Sequence, residues 1–186
     1  PDFCKPSCWS DFELSPKGYF VVTLHRPANV DGEAKLDCLL KTVIDHSRGL
    51  PLVFPVHPRT AKILRSLQID APNLKLVEPL PYREFNYLVE NAFAVITDSG
   101  GITEETTVLG VPCLTLRDTT ERPETITMGT NELVGTNPQA IPPVLDRLFG
   151  GNWKKHRVPP LWDGKAGERI VRQLEMCLGT KNWDGH

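Results

Sequence analysis

Several things are missing from this 186-residue chain, and each absence closes off a class of protein. No apolar run approaches the roughly 20 residues that cross a bilayer, and no basic segment followed by an apolar one stands at the start, so neither a membrane protein nor a secretory leader is expected. Neither sign of charge dominates. With 21 Lys and Arg against 23 Asp and Glu the net charge is -2, which gives no bulk attraction to nucleic acid or to an anionic membrane. A cytoplasmic location is the expectation. The cysteines, at 4, 8, 38, 113 and 177, are odd in number. Cys38, Cys113 and Cys177 fall in apolar patterns that read as core. Cys4 and Cys8 are close together, but no second pair or nearby His completes a tetrahedral zinc site, so no metal is expected. Also absent are Gly-x-Gly-x-x-Gly after the first strand, the Walker pattern and the Gly-x-Ser-x-Gly elbow. A nicotinamide or flavin dinucleotide site is therefore poorly supported, and no cofactor is expected.

What remains is an ordinary globule, 40% hydrophobic and 24% charged, long enough for one well-cored domain and short for two. Short β-rich runs alternate with amphipathic stretches. Strands are predicted over 19–24, 52–56, 74–77, 94–97, 113–116 and 132–134, and helices over 33–46, 61–67, 82–91, 102–109, 124–128, 139–149 and 166–177. Leu36, Leu39, Leu40, Val43 and Ile44 recur at helical spacing, which gives the first of these helices one apolar face. Strands nearly continuous in Val, Ile, Leu and Phe, separated by helices, imply a parallel sheet covered on both faces. The expected fold is a doubly wound, Rossmann-like α/β domain over 18–178, with its ligand crevice beyond the carboxyl ends of the strands. Residues 1–17, which show no clear period over their first dozen, are expected to connect to a domain upstream, and 179–186 to fray as a tail.

The most informative stretch is 95–105, Val-Ile-Thr-Asp-Ser-Gly-Gly-Ile-Thr-Glu-Glu. A strand that ends in Asp98, Ser99, Gly100 and Gly101, with a helix beginning there, gathers free N–H groups and the positive helix end at one spot, which suits a phosphate. The other strand ends are polar too. They carry His25-Arg26, His57-Pro58-Arg59-Thr60, Glu78-Pro79-Leu80, and Arg117-Asp118 with Glu121-Arg122, a rim that fits a diphosphate. Each residue also has a duller account. Ser99 could be a plain N-cap followed by acidic residues that favour the first turn, His25 and His57 could be structural, and Glu104 and Glu105 could only complement the helix dipole. Arg122 could staple its loop by pairing with Glu121 or Asp118, and Phe85 could be a core aromatic rather than a platform for a base.

Taken in order, these motifs resemble the C-terminal half of the non-hydrolysing UDP-N-acetylglucosamine 2-epimerases, enzymes of the two-domain glycosyltransferase-B architecture. The resemblance rests on Val-Thr-Leu-His-Arg at 22–26 with Asn29-Val30, Pro-Val-His-Pro-Arg-Thr at 55–60, and Glu-Pro-Leu-Pro-Tyr at 78–82. It continues through Thr-Asp-Ser-Gly-Gly-Ile-Thr-Glu-Glu at 97–105, Leu-Gly-Val-Pro-Cys-Leu at 109–114, Arg-Asp-Thr-Thr-Glu-Arg-Pro-Glu at 117–124, Gly-Thr-Asn at 129–131 and Asp-Gly-Lys-Ala at 163–166. It implies UDP-N-acetylglucosamine and UDP as ligands. Ser99, Gly100 and Gly101 would lie at the diphosphate, Glu105 at the ribose, Phe85 beside the uracil and Arg122 in the substrate pocket, with His25 and Arg122 serving the chemistry. Some bacterial members bind a second substrate molecule as activator near the positions of Arg26 and His57. At Pro27 and Ala28 this chain departs from the His-Arg-Arg-Glu-Asn pattern commonest in bacteria. The implied reaction inverts C2 of the sugar by eliminating and re-adding UDP, using acid and base carboxylates of the other domain. The complete enzyme is expected to be a homodimer, and this half alone to bind UDP weakly and turn over little or nothing. Rival readings are a UDP-sugar glycosyltransferase of the same architecture, a non-catalytic nucleotide-sugar sensor, and a hydrolysing 2-epimerase.

Overall fold

The structure, a computed structural model, describes residues 2–56 and 58–178. Among these, six strands form one parallel sheet: β1 (Phe20–Thr23), β2 (Leu52–Pro55), β3 (Leu74–Val77), β4 (Ala94–Thr97), β5 (Cys113–Thr115) and β6 (Asn131–Leu133). The spatial order is β3-β2-β1-β4-β5-β6. The chain winds outward from β1 in one direction and from β4 in the other, so the gap beyond the ends of β1 and β4 is the topological switch point where such sheets hold ligands. Phe20 to Thr23 pair in step with Ala94 to Thr97, which brings the two strand tips out level. A hydroxyl–hydroxyl bond of 2.6 Å between Thr23 and Thr97 pins the tips together.

The described helices are α1 (Ser7–Asp11), α2 (Pro27–Val30), α3 (Glu33–His46), α4 (Pro58–Ser66), α5 (Tyr82–Asn91), α6 (Gly100–Leu109), α7 (Pro123–Thr127), α8 (Ile141–Phe149) and α9 (Ala166–Leu178), and all but α9 contribute buried residues. Side chains alternate across a strand, so β1 feeds two cores. Phe20 and Val22 join Leu36, Leu39, Leu40, Ile96, Leu114, Ile141 and Leu145 on the face of α3 and α8. Tyr19 and Val21 join Leu88, Val89, Val95, Val111 and Cys113 on the face of α5 and α6. The central strands are buried on both faces, as their continuous apolar runs require, while the edge strand β3 leaves Leu76 exposed.

Differences from the sequence expectation have physical causes. Residues 7–11, which show no period, form α1, because five residues are too few to display one. Trp9 packs edge-on against Tyr19 at 5.7 Å and Tyr87 at 5.3 Å, so this segment is part of the second core. Helix α6 begins at Gly100 rather than Ile102. Glycine is a poor helix former, but the first turn tolerates it, and the helix closes on Gly110 at φ 71°, the left-handed cap that glycine adopts without strain. The predicted helix over 139–149 opens as a 3-10 turn, Pro138–Ala140, with Asn137 accepting from the Gln139 N–H. Cys113 is buried, but Cys38 and Cys177 are exposed, one on the outer side of α3 and the other on α9. No described residue of α9 is buried, so its apolar pattern is not a sign of core within this chain. None of the described helices is long and apolar enough to cross a membrane.

Candidate functional site

The tips of β1 and β4 are joined by a buried carboxylate. Asp98 is fully enclosed and accepts from the backbone N–H of His25 (3.1 Å) and Arg26 (2.9 Å) and from Asn29 Nδ2 (3.1 Å), while His25 Nδ1 lies 2.9 Å from its Oδ1. Asn29 Nδ2 also donates to the Leu116 carbonyl at 3.0 Å, which ties in β5. Burial alone would raise the Asp98 pKa, but the bonds from His25, Asn29 and the Arg26 N–H outweigh it and hold the group below its usual range. The same contact works in reverse on His25. Its hydrogen bond to Asp98 raises its pKa, against partial burial and the nearby Arg26 charge.

One residue further on, Ser99 stands at the N-cap of α6 with extended backbone, yet no side-chain bond caps the helix. Ser99 thus holds the N-cap position of the plain account without making its side-chain capping bond. The Ser99 N–H donates to Thr97 Oγ1 at 3.0 Å, whereas among the described residues no group accepts from the N–H of Gly100 or Gly101. These two amides head α6 and carry the positive end of its dipole. Nothing inside the fold calls for glycine at 101. Its φ is not left-handed, and a Cβ there would meet no atom within 4 Å.

Around this helix start lies a cleft of about 390 Å³ lined by Arg26, Ser99, Gly100, Gly101, Glu104, Glu121 and Arg122. Arg26 is steadied by its Nε, which donates to the Asp98 carbonyl at 3.1 Å. A larger cavity of about 610 Å³ shares Glu104 and Arg122 with it and continues past Tyr82, Asn86, Glu105 and Trp162. Burial pushes the Glu105 carboxyl up, Asn86 opposes this, and the Glu104 charge adds to it. The two spaces adjoin at Glu104 and Arg122, an amide-rich end where two arginines and two glutamates meet on one side and a more apolar end on the other.

Most of the expected residues therefore meet. Arg26, Ser99, Gly100, Gly101 and Arg122 share the cleft, and Glu105 lines the adjoining cavity. His25 stands at the same sheet edge but lines neither space, and Phe85 packs against the second core instead, with Tyr82 and Asn86 of its helix facing the cavity. His57 lies outside the described residues. Arg122 pairs with Glu104 rather than with the side chain of Glu121 or Asp118; Arg117 is the partner of Glu121. Asp98 and Asn86 are the contributors that sequence reasoning left without a role, whereas Arg117 was already counted in the polar rim. The signal for Asp98 was an acidic residue directly after the Ala-Val-Ile-Thr strand.

Residues 5–175 match the family described as UDP-N-acetylglucosamine 2-epimerase. The chain belongs to that family. A UDP-N-acetylglucosamine 2-epimerase of Methanocaldococcus jannaschii is 40% identical over 165 residues, which is 84% of this chain and 44% of the relative. The crystal structure of the M. jannaschii enzyme in complex with UDP-GlcNAc and UDP superposes with a TM-score of 0.74 at 39% identity, covering 90% of this chain and 48% of that one. A co-structure of S. aureus MnaA with UDP gives 0.76 at 29% identity, covering 96% and 49%. This 2-epimerase family chain thus spans about half the length of the relatives it matches, and the half is their C-terminal one.

Proposed function

We propose that this chain is the nucleotide-binding half of a cytoplasmic UDP-N-acetylglucosamine 2-epimerase, holding UDP-N-acetylglucosamine by its diphosphate while the other half of the complete enzyme handles the proton at C2. The observation that carries this is the helix start at Gly100 and Gly101, whose amides have no partner among the described residues and which sits at the switch point between Arg26 and Arg122. Elimination of UDP places negative charge on the diphosphate. Preset N–H groups and arginines stabilise that charge without reorganising, which lowers the barrier to C–O cleavage and to re-addition on the opposite face. His25, kept protonated by Asp98 over a wider pH range than a free imidazole, adds positive charge at the same edge. Glu105 takes the ribose, and the cavity beyond it takes the base. Support for UDP as ligand comes from the complexes of the M. jannaschii and S. aureus relatives.

The other half of the enzyme has a place to dock. Ile170, Val171, Leu174 and Leu178 recur at helical spacing on α9, all exposed, an apolar stripe suited to a domain that this chain does not contain. The complete enzyme works as a homodimer. Calorimetric titration of this chain tests the nucleotide reading: UDP binds weakly, Ser99→Ala and Arg122→Ala each lower the affinity about tenfold or more, and NAD gives no heat. Tight NAD binding, or UDP binding indifferent to both substitutions, overturns the reading.

A further inference from the structure

Arg117 and Arg122, the two arginines that the Arg-Asp-Thr-Thr-Glu-Arg-Pro block brings to the site, are both engaged by carboxylates. Arg122 is bound to Glu104, and Arg117 holds Glu121 in a fork of two bonds, Nη1 to Oε2 at 2.9 Å and Nη2 to Oε1 at 2.7 Å. The second pair sits at the helix start itself. A Cβ built on Gly100 would lie 3.5 Å from Arg117 Nη1 and 3.7 Å from Glu121 Oε2, so this guanidinium and this carboxylate both border the space over the glycines. Arg117 is nearly buried, whereas the Glu121 side chain is 61% exposed and lines the cleft. The anchored member of the pair is thus the cation, and the member free to swing away is the anion.

A planar fork of donors suits two oxygens of a carboxylate and two oxygens of a phosphate equally well. The Arg117 bonds hold the Glu121 carboxyl at about 2, so it stays charged as an anionic ligand approaches. We propose that Glu121 is a built-in competitor for the diphosphate, occupying the Arg117 fork and setting nucleotide affinity because it must be displaced or must repel the incoming charge. This rests on the diphosphate reading of the cleft. For a reaction in which UDP leaves and returns, a ground-state grip eased in this way is an advantage, since tight uniform binding adds nothing to turnover once the site is filled.

The test is calorimetric titration of wild type, Glu121→Gln and Glu121→Asp with UDP and with inorganic pyrophosphate. With the competitor's charge removed, Glu121→Gln binds both ligands about two- to fivefold tighter, the range expected for freeing one exposed pair. Glu121→Asp, which keeps the charge, stays close to wild type, and thermal melting of both variants confirms that they fold. Equal or weaker binding by Glu121→Gln, beside measurable wild-type binding, overturns the proposal and makes Glu121 a simple brace for Arg117. Absence of UDP binding by wild type itself brings down the nucleotide reading and this inference with it, a result distinct from the former.

Discussion

His25 and Asp98 couple the charge of the rim to pH. The folded state holds the His25 proton more tightly than the unfolded chain, so His25 contributes stability that is fully present below its ordinary 6.5 and is lost as pH rises through the raised folded value. Asp98, held below its ordinary 3.8, contributes stability that is present above that value and is lost as pH falls through the lowered one. The window of greatest support lies between 3.8 and 6.5. Melting temperature is therefore expected to decline as pH is raised from about 6 to about 8.5, and His25→Gln to flatten that decline. An unchanged slope in the variant would show that the pair has no part in it. The histidine was legible in the sequence as a polar residue where an apolar strand ends. Its partner was not assigned, because a carboxylate's burial depends on two segments far apart in sequence, 25–29 and 98, meeting. Glu121 shows the same limit. Sequence places it beside Arg122, but the backbone of the 116–122 loop turns it toward Arg117.

At the scale of elements, strands and long helices were readable because their periods repeat often enough to be seen. Helices α3 and α5 and strands β3 and β4 lie where the pattern put them. Short elements escape. Helix α2 has four residues and is marked only by Pro27 at its start. Helix α1 has five, and its Trp9 is 7% exposed against Tyr19 and Tyr87. Trp9→Ala is accordingly expected to destabilise the chain by about 3 kcal/mol in chemical denaturation, the usual loss for a large aromatic leaving a core. A change near zero would mean that the segment contributes nothing to the domain. The Gly-Thr-Asn motif gains a meaning that sequence alone did not supply. A Cβ on Gly129 would fall 2.3 Å from Thr107 Oγ1 and 2.6 Å from the Thr125 carbonyl, so glycine lets α6 and α7 approach closely enough to set Arg122 across from Glu104.

For the whole molecule, the parallel sheet and its crevice followed from the alternation of strands and helices, and the strand order then decided which tips become neighbours. The net charge of -2 says nothing of the rim, where three arginines gather within one cleft and its border. The chain spans about half of the length of its relatives, and α9 carries an apolar stripe that the described residues do not cover. The central claim is that the amides at the double glycine exist to receive a diphosphate, and Gly101 isolates it, because the fold itself leaves room for a Cβ there. Titrating UDP into wild type and Gly101→Ala, with melting curves alongside, is the most direct measurement. The account predicts that the alanine variant melts at the same temperature or slightly higher, since alanine favours a helix over glycine by roughly 0.5–1 kcal/mol, while its UDP affinity falls about tenfold or more as the methyl group blocks close approach to the main chain. An alanine variant that binds UDP as well as wild type would contradict it.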